Sequence, residues 1–195
     1  MQLKRMFSTD SVKGTKGYLD SQKKYEILRT VIYFGISLSL FIAGFIQTKE
    51  RANLLSIVAI LGCLPASKSA VGMIMFLRFR SFSGPSAEEI ERHAQGLDCL
   101  YDMVFTSYKK NFVVSHLAVR GNTVCGFSDK GGQFEENEFY KHIGEILKLD
   151  GHKSVTVKVF TNLEKYTERL EQMQGLEQDE TVTQAVIATL RSVAL

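Results

Sequence analysis

A long uncharged stretch dominates the beginning of the chain. Between Arg29 and Lys49 lie 19 consecutive uncharged residues, 30–48, most of them apolar. At about 1.5 Å per residue they would form roughly 28 Å of helix, which is enough to cross the hydrocarbon core of a bilayer. Charged residues follow the stretch, whereas a signal peptide ends at a small-residue cleavage site. The pattern predicts a first transmembrane helix.

A second apolar segment runs over residues 52–77 and contains Pro65 and Lys68. As a full span it would be kinked near Pro65, because proline removes a backbone donor. Lys68 would then lie near the midplane, where a charge costs about 2.5 to 3.5 kcal/mol. Alternatively, residues 52–67 span alone, Lys68 reaches the headgroups and residues 71–77 lie along the interface. Lys68 is a candidate functional residue, intramembrane or interfacial.

Small side chains recur at steps of four residues in both apolar segments. Such steps place them on one helix face, where they let two helices approach closely in lipid. We therefore expect an antiparallel transmembrane hairpin within residues 30–80. The same faces could equally pair between two copies of the chain. The residues are Gly35, Ser39 and Ala43 in the first segment and Gly62, Ala66 and Ala70 in the second.

Charge divides the chain into a basic and an acidic part. Residues 1–80 carry twelve Lys or Arg and four Asp or Glu, whereas residues 81–195 carry twelve and seventeen. Basic residues cluster before the first apolar segment and after the second, which predicts that both termini are cytoplasmic. Residues 1–29 are interpreted as a solvated basic leader, with a short amphipathic helix over 19–28 as the alternative. The acidic balance of the second part opposes nucleic-acid binding.

The first half of the acidic part has the pattern of a β-sheet. Residues 100–108, 112–119 and 123–127 are rich in aromatic and β-branched side chains. In residues 154–160, valine occurs at every second position. Gly121-Asn122 is a favourable two-residue turn, so the two runs beside it should pair antiparallel. These features predict four strands.

Helical patterns complete the second part. Residues 86–97, 135–149, 161–175 and 180–194 have apolar positions at a period of 3.6. Ser86-x-x-Glu89 and Thr161-x-x-Glu164 read as capping boxes that start two of these helices. The sequence therefore predicts a cytoplasmic α+β domain over residues 81–195, with the order α-β-β-β-α-β-α-α.

The first six of these elements, over residues 86–160, resemble in order the core of the restriction-endonuclease-like nucleases. That resemblance implies a metal held by carboxylates on the second and third strands, next to a lysine. Here the corresponding strands, 112–119 and 123–127, contain no carboxylate. The sequence thus departs from the catalytic motif, which implies at most a catalytically degenerate relative.

One histidine and one cysteine of the predicted strands lie close enough to be candidates for catalytic chemistry. The predicted hairpin makes His116 and Cys125 diagonal neighbours on one sheet face, about 7 to 8 Å apart at the backbone. A Cys-His dyad needs closer contact and an orienting third group, so a neutral, hydrogen-bonded core histidine is favoured. The three cysteines, 63, 99 and 125, lack zinc spacing. No catalytic residue, cofactor or metal is predicted.

Residues 61–70, Leu-Gly-Cys-Leu-Pro-Ala-Ser-Lys-Ser-Ala, resemble a stretch of small bacterial membrane proteins with a two-span amino-terminal part. The resemblance implies the plasma membrane of a bacterium and no activity. We therefore expect a non-enzymatic, membrane-tethered interaction or scaffolding module. Its expected partners are the lipid bilayer and other membrane proteins or a second copy. The alternatives are a degenerate nuclease-like protein and a transport or lipid-handling accessory that uses Lys68.

Overall fold

The computed structural model describes residues 13–49, 53–108 and 110–195. They form two compact units: a helical hairpin over residues 19–80, and an α+β unit that joins residues 13–18 to residues 81–195. The helices are α1 (Tyr18–Thr48), α2 (Leu54–Leu77), α3 (Pro85–His93), α4 (Glu136–Leu149), α5 (Leu163–Gln174) and α6 (Glu180–Val193). The strands are β1 (Asp98–Thr106), β2 (Asn111–Arg120), β3 (Thr123–Phe127) and β4 (Thr156–Phe160). The coarse prediction is confirmed: the chain is α+β, with two long apolar helices before a four-stranded sheet and its helices.

Two long helices pack antiparallel in the hairpin. The hydroxyl oxygens of Thr30 and Ser69 are 2.9 Å apart, a Cβ on Gly62 would lie 2.7 Å from Oγ of Ser37, and a Cβ on Gly44 would lie 2.8 Å from Cβ of Leu55. In each pair the two residue numbers add to 99, which fixes the register along the hairpin. Both helices pass the length and hydropathy criteria for a membrane span.

Within the chain, the small-residue prediction is supported at Gly62 and Ala66 of α2 and is wrong for its three residues on α1. On α2, Ala66 is fully buried and Gly62 faces α1. On α1, by contrast, Gly35, Ser39 and Ala43 are exposed. The face of α1 that packs recurs at seven residues instead, and it consists of Thr30, Ser37 and Gly44.

The region interpreted as a solvated leader is folded where the structure describes it. Residues 18–29 form the first turns of α1, so the amphipathic helix and the first span are one helix of 31 residues. Residues 1–12 lie outside the described part of the chain. Helix α2 likewise continues through Pro65 to Leu77 without a break.

A four-stranded mixed sheet forms the centre of the α+β unit. The order is β1-β2-β3-β4, with the first three strands antiparallel and β4 parallel to β3. Arg120 pairs with Thr123 across the predicted Gly121-Asn122 turn, and Gly121 adopts the positive φ of 53° that such a turn favours. Ala118 faces Cys125, as the sequence predicted.

Helices cover both faces of the sheet. Helices α4 and α6 bury one face through residues such as Phe139, Ile143 and Leu190. Helices α3 and α5 cover the other through Ile90 and Leu170. The sheet is therefore the middle layer of three, and side chains that alternate along β2 enter different cores.

Two helix starts differ from the predicted capping boxes. Helix α3 follows Gly84 and has Pro85 in its first turn, where the fixed φ of proline suits the helix and its missing N–H costs nothing. Helix α5 is capped by Asn162, whose side chain accepts a hydrogen bond from the amide of Lys165 at 3.1 Å. Both predicted boxes were wrong because a stronger start signal lay next to each of them.

The segment before α1 belongs to the α+β unit. The amide of Tyr101 donates to the carbonyl of Gly14 at 2.9 Å, which adds the segment to the edge of β1. The buried carboxylate of Asp102 accepts from the amides of Gly17, at 3.0 Å, and of Phe82, at 2.8 Å. One side chain thus holds both chain segments that flank the hairpin, and it does so from a positive φ of 55° that costs a non-glycine residue energy.

Candidate functional site

His116 is the most enclosed titratable group in the described sheet. It lies on β2 with no exposed surface, and its Nδ1 is 2.6 Å from the hydroxyl of Tyr166 on α5. The Tyr101 ring meets it edge-on, with ring centroids 4.9 Å apart. The predicted hydrogen-bonded core histidine is confirmed, and its partner comes from 50 residues further along the chain.

The protonation of the pair follows from its surroundings. Burial lowers the pKa of His116 to about 4 and raises the pKa of Tyr166 well above its ordinary value. The Tyr166 hydroxyl also donates to the carbonyl of Cys125, at 3.4 Å. This bond leaves the hydroxyl oxygen to accept from Nδ1–H of a neutral His116. Nε2 of His116 then carries a lone pair, and it is buried without a hydrogen-bond partner in the described structure.

Cys125 is not activated as a nucleophile. Burial raises the pKa of its thiol, and the opposing effects of Arg169 and Lys158 are smaller. Cys99 lies on the same sheet face, and burial raises the pKa of its thiol to about 12. Burial therefore disfavours a Cys125 thiolate, and Nδ1 of His116 is hydrogen-bonded to Tyr166 and not to Cys125.

A basic pocket opens beside α5, where the helix leaves β3 and β4 uncovered. Its volume is about 540 Å³. The floor is formed by alternate residues of the two strands, including Cys125 and Phe160, and the wall is one side of α5. Three cationic side chains line it: Lys158 from β4, and Lys165 and Arg169 from α5.

The hairpin contains a polar junction at one end of its apolar stretch. Glu26 is buried, accepts from the Gln22 amide at 3.2 Å and pairs with Arg29. Arg29 in turn donates to Oγ of Ser69, at 3.2 Å, across the two helices. Lys68 is exposed beside this junction, and the register sets it level with residue 31.

Sequence reasoning found some of these residues and missed others. His116, Cys125 and Lys68 were singled out, whereas Tyr166, Glu26 and the basic pocket were not. Lys165 and Arg169 are four residues apart on a predicted helix, so half of the pocket was visible as a pattern. Among residues 13–49, 53–108 and 110–195, no group of three or more His, Cys, Asp or Glu side chains could hold a metal.

No family model matches the chain, and no curated protein or solved structure shows significant similarity to it.

Proposed function

We propose that the chain is a two-span membrane protein whose α+β unit serves as a cytoplasmic binding or scaffolding module. The observation that carries the proposal is the exposed apolar surface of the hairpin. Only 17% of the most apolar window of α1 and 22% of that of α2 are buried. Side chains such as Ile46, Ile60 and Leu64 are at least two-thirds exposed. A helix in the core of a soluble protein would be mostly buried, so lipid is the natural solvent for this surface.

The hairpin register is consistent with residues 31–48 of α1 in the hydrocarbon core of the bilayer. Residues 31–48 of α1 would span roughly 27 Å, close to the thickness of the hydrocarbon core. With residues 31–48 in the hydrocarbon core, Lys68 would lie at the headgroups and not at the midplane, because it is level with residue 31. Glu26 and Arg29 then lie just outside the core, where an ion pair is tolerated. This arrangement favours the interfacial interpretation of Lys68 over a transport role.

Substitutions on the exposed hairpin face test the membrane assignment. Ile60→Arg together with Leu64→Arg would cost roughly 5 to 7 kcal/mol on insertion scales. The matched control is Leu149→Arg together with Leu176→Arg, since both leucines are exposed on the α+β unit. We expect the first pair to shift the protein from the pellet to the supernatant after alkaline carbonate extraction, and the control to stay in the pellet. A wild-type protein found in the supernatant without detergent would refute the proposal.

Charge asymmetry supports the orientation, and the resemblance of residues 61–70 supports a bacterial plasma membrane. A cysteine at Lys49 should react with an impermeant maleimide added to intact cells, because it would lie in the extracytoplasmic turn. A cysteine at Leu149 should react only after the membrane is opened. The reverse labelling pattern would contradict the cytoplasmic placement of the termini and of the α+β unit.

A second candidate function is that of a degenerate nuclease-like protein. The observation that favours it is the αβββαβ order with β4 parallel to β3. Two carboxylates that could be metal ligands already accept hydrogen bonds from the protein, which argues against activity. Asp102 accepts from two backbone amides, and Asp129 accepts from Oγ of Ser115 at 3.1 Å. DNA or RNA cleavage by the purified chain that requires a divalent metal and is abolished by EDTA would establish the nuclease alternative.

A further inference from the structure

The basic pocket defined by Lys158, Lys165 and Arg169 is positively charged, whereas residues 81–195 as a whole are negatively charged. Residues 81–195 carry seventeen acidic and twelve basic groups, yet three cations and one carboxylate, that of Glu168, line this cavity. The cations come from two consecutive elements, β4 and α5, which a two-residue connection joins. Their convergence gives a local excess of positive charge on an otherwise acidic unit.

The protein offsets only part of the positive charge of the pocket, through the carboxylate of Glu168. In the described part of the chain, no ion pair joins Lys158, Lys165 or Arg169 to a carboxylate. Arg169 donates instead to the neutral side chain of Gln172, at 3.0 Å. Lys158 lies over the ring of Phe160, with its Nζ 5.0 Å from the centroid, which directs the ammonium group along the floor. Like charges that converge in this way repel one another unless an anion joins them.

The shape of the pocket indicates a small ligand. Its volume of about 540 Å³ is in the range of small-molecule sites. Thr123 and Thr156 line the pocket together with the partly buried Phe160. Lysine and arginine are the residues that bind phosphoryl oxygens, and threonine hydroxyls are common additional donors.

We propose that this pocket binds a soluble small molecule through a phosphoryl group, with Lys158, Lys165 and Arg169 as the cationic contacts. This inference goes beyond the membrane-anchor proposal and does not depend on it. A phosphorylated lipid headgroup carries the same chemistry, so the test separates the two sources.

The test is a calorimetric titration of the full-length protein with inorganic pyrophosphate. The protein is held in nanodiscs of phosphatidylcholine, whose headgroup is neutral overall. Variants Lys158→Gln, Lys165→Gln and Arg169→Gln remove one contact each. The matched control is Lys153→Gln, because Lys153 is an exposed lysine just before β4 that does not line the pocket. Thermal unfolding of each variant checks that the fold is retained.

We expect saturable one-to-one binding that weakens about tenfold or more in each pocket variant and by less than about twofold in the control. Binding should also weaken as salt concentration rises, since it is electrostatic. Absence of saturable binding, or an equal loss in Lys153→Gln, would overturn the site.

A second arm uses nanodiscs that contain phosphatidic acid. If the ligand is soluble, the affinity for pyrophosphate should be the same in both kinds of disc. A loss of at least tenfold in the phosphatidic acid discs would mean that headgroups occupy the pocket, and it would overturn the assignment to a soluble ligand.

Discussion

Protonation of His116 is expected to destabilise the α+β unit as the pH falls below neutrality. The folded protein holds the imidazole neutral, because burial lowers the pKa of His116 from 6.5 to about 4. The unfolded chain exposes the ring and therefore binds the proton more readily. The contribution of neutral His116 to the free energy of unfolding is fully present above pH 6.5 and is lost progressively between pH 6.5 and 4. Below pH 4 the contribution changes no further.

The size of the effect follows from the two pKa values. The full difference between them corresponds to roughly 3 kcal/mol of unfolding free energy, reached below pH 4. At pH 5 the expected loss relative to pH 7.5 is about 2 kcal/mol. This is a large share of the 5 to 15 kcal/mol that ordinarily separates folded from unfolded domains.

Urea unfolding at pH 7.5 and at pH 5.0 measures the effect, followed through the near-ultraviolet circular dichroism of the tyrosines in the full-length protein in detergent. His116→Phe removes the titration and keeps an aromatic ring beside Tyr101 and Tyr166. The variant should lose about 2 kcal/mol less than the wild type between the two pH values. His142→Gln, a change at a partly exposed histidine of α4, should behave like the wild type. An equal pH dependence for wild type and His116→Phe would refute the reasoning.

Three further predictions concern packing and the connections of the hairpin. Gly126→Ala should lower the free energy of unfolding by about 1 to 3 kcal/mol through overpacking, because its Cβ would meet core side chains at 2.9 Å. Gly144→Ala lies in open space within a helix, so it should be neutral or stabilising in the same urea experiment. Gly44→Leu should separate the hairpin helices and lower its resistance to SDS, whereas Gly35→Leu should leave the hairpin intact; dissociation of oligomers by the latter alone would locate self-association on that face. Asp102→Asn should leave one of its two backbone donors unsatisfied, at a cost of about 1 to 3 kcal/mol, with faster hydrogen exchange of that amide; unchanged exchange at both amides would contradict the role of the carboxylate.

Local patterns were sufficient for most elements of the α+β unit. Strand β3 begins and ends at the predicted residues, because a two-residue turn precedes it and alternation defines its length. Helix α4 differs by one residue at its start for the same kind of reason. Where several short-range signals agree, tertiary packing did not shift the bounds of the element by more than one residue.

Long-range packing accounts for what the sequence did not reveal. The His116 partner and the Lys158 side of the basic pocket both depend on where α5 lies on the sheet, and no spacing along the chain encodes that. In α1, small residues occur both at steps of four and at steps of seven, so composition alone could not select Ser37 and Gly44 as the packing face. The segment before α1 attaches through the backbone of Gly14 and Gly17 and through the side chains of Lys13 and Lys16, whose partners lie at least 75 residues further along the chain.

The dependence of the α+β unit on residues 13–17 has a consequence for its biosynthesis. Gly14 and Gly17 are synthesised long before Tyr101 and Asp102, and both apolar helices emerge between them. Residues 13–17 therefore lack their final hydrogen bonds until the hairpin has left the ribosome. A fragment that began at residue 81 would lack the backbone partners of the Tyr101 amide and of Oδ2 of Asp102, because the native unit is assembled from two separate segments of the chain.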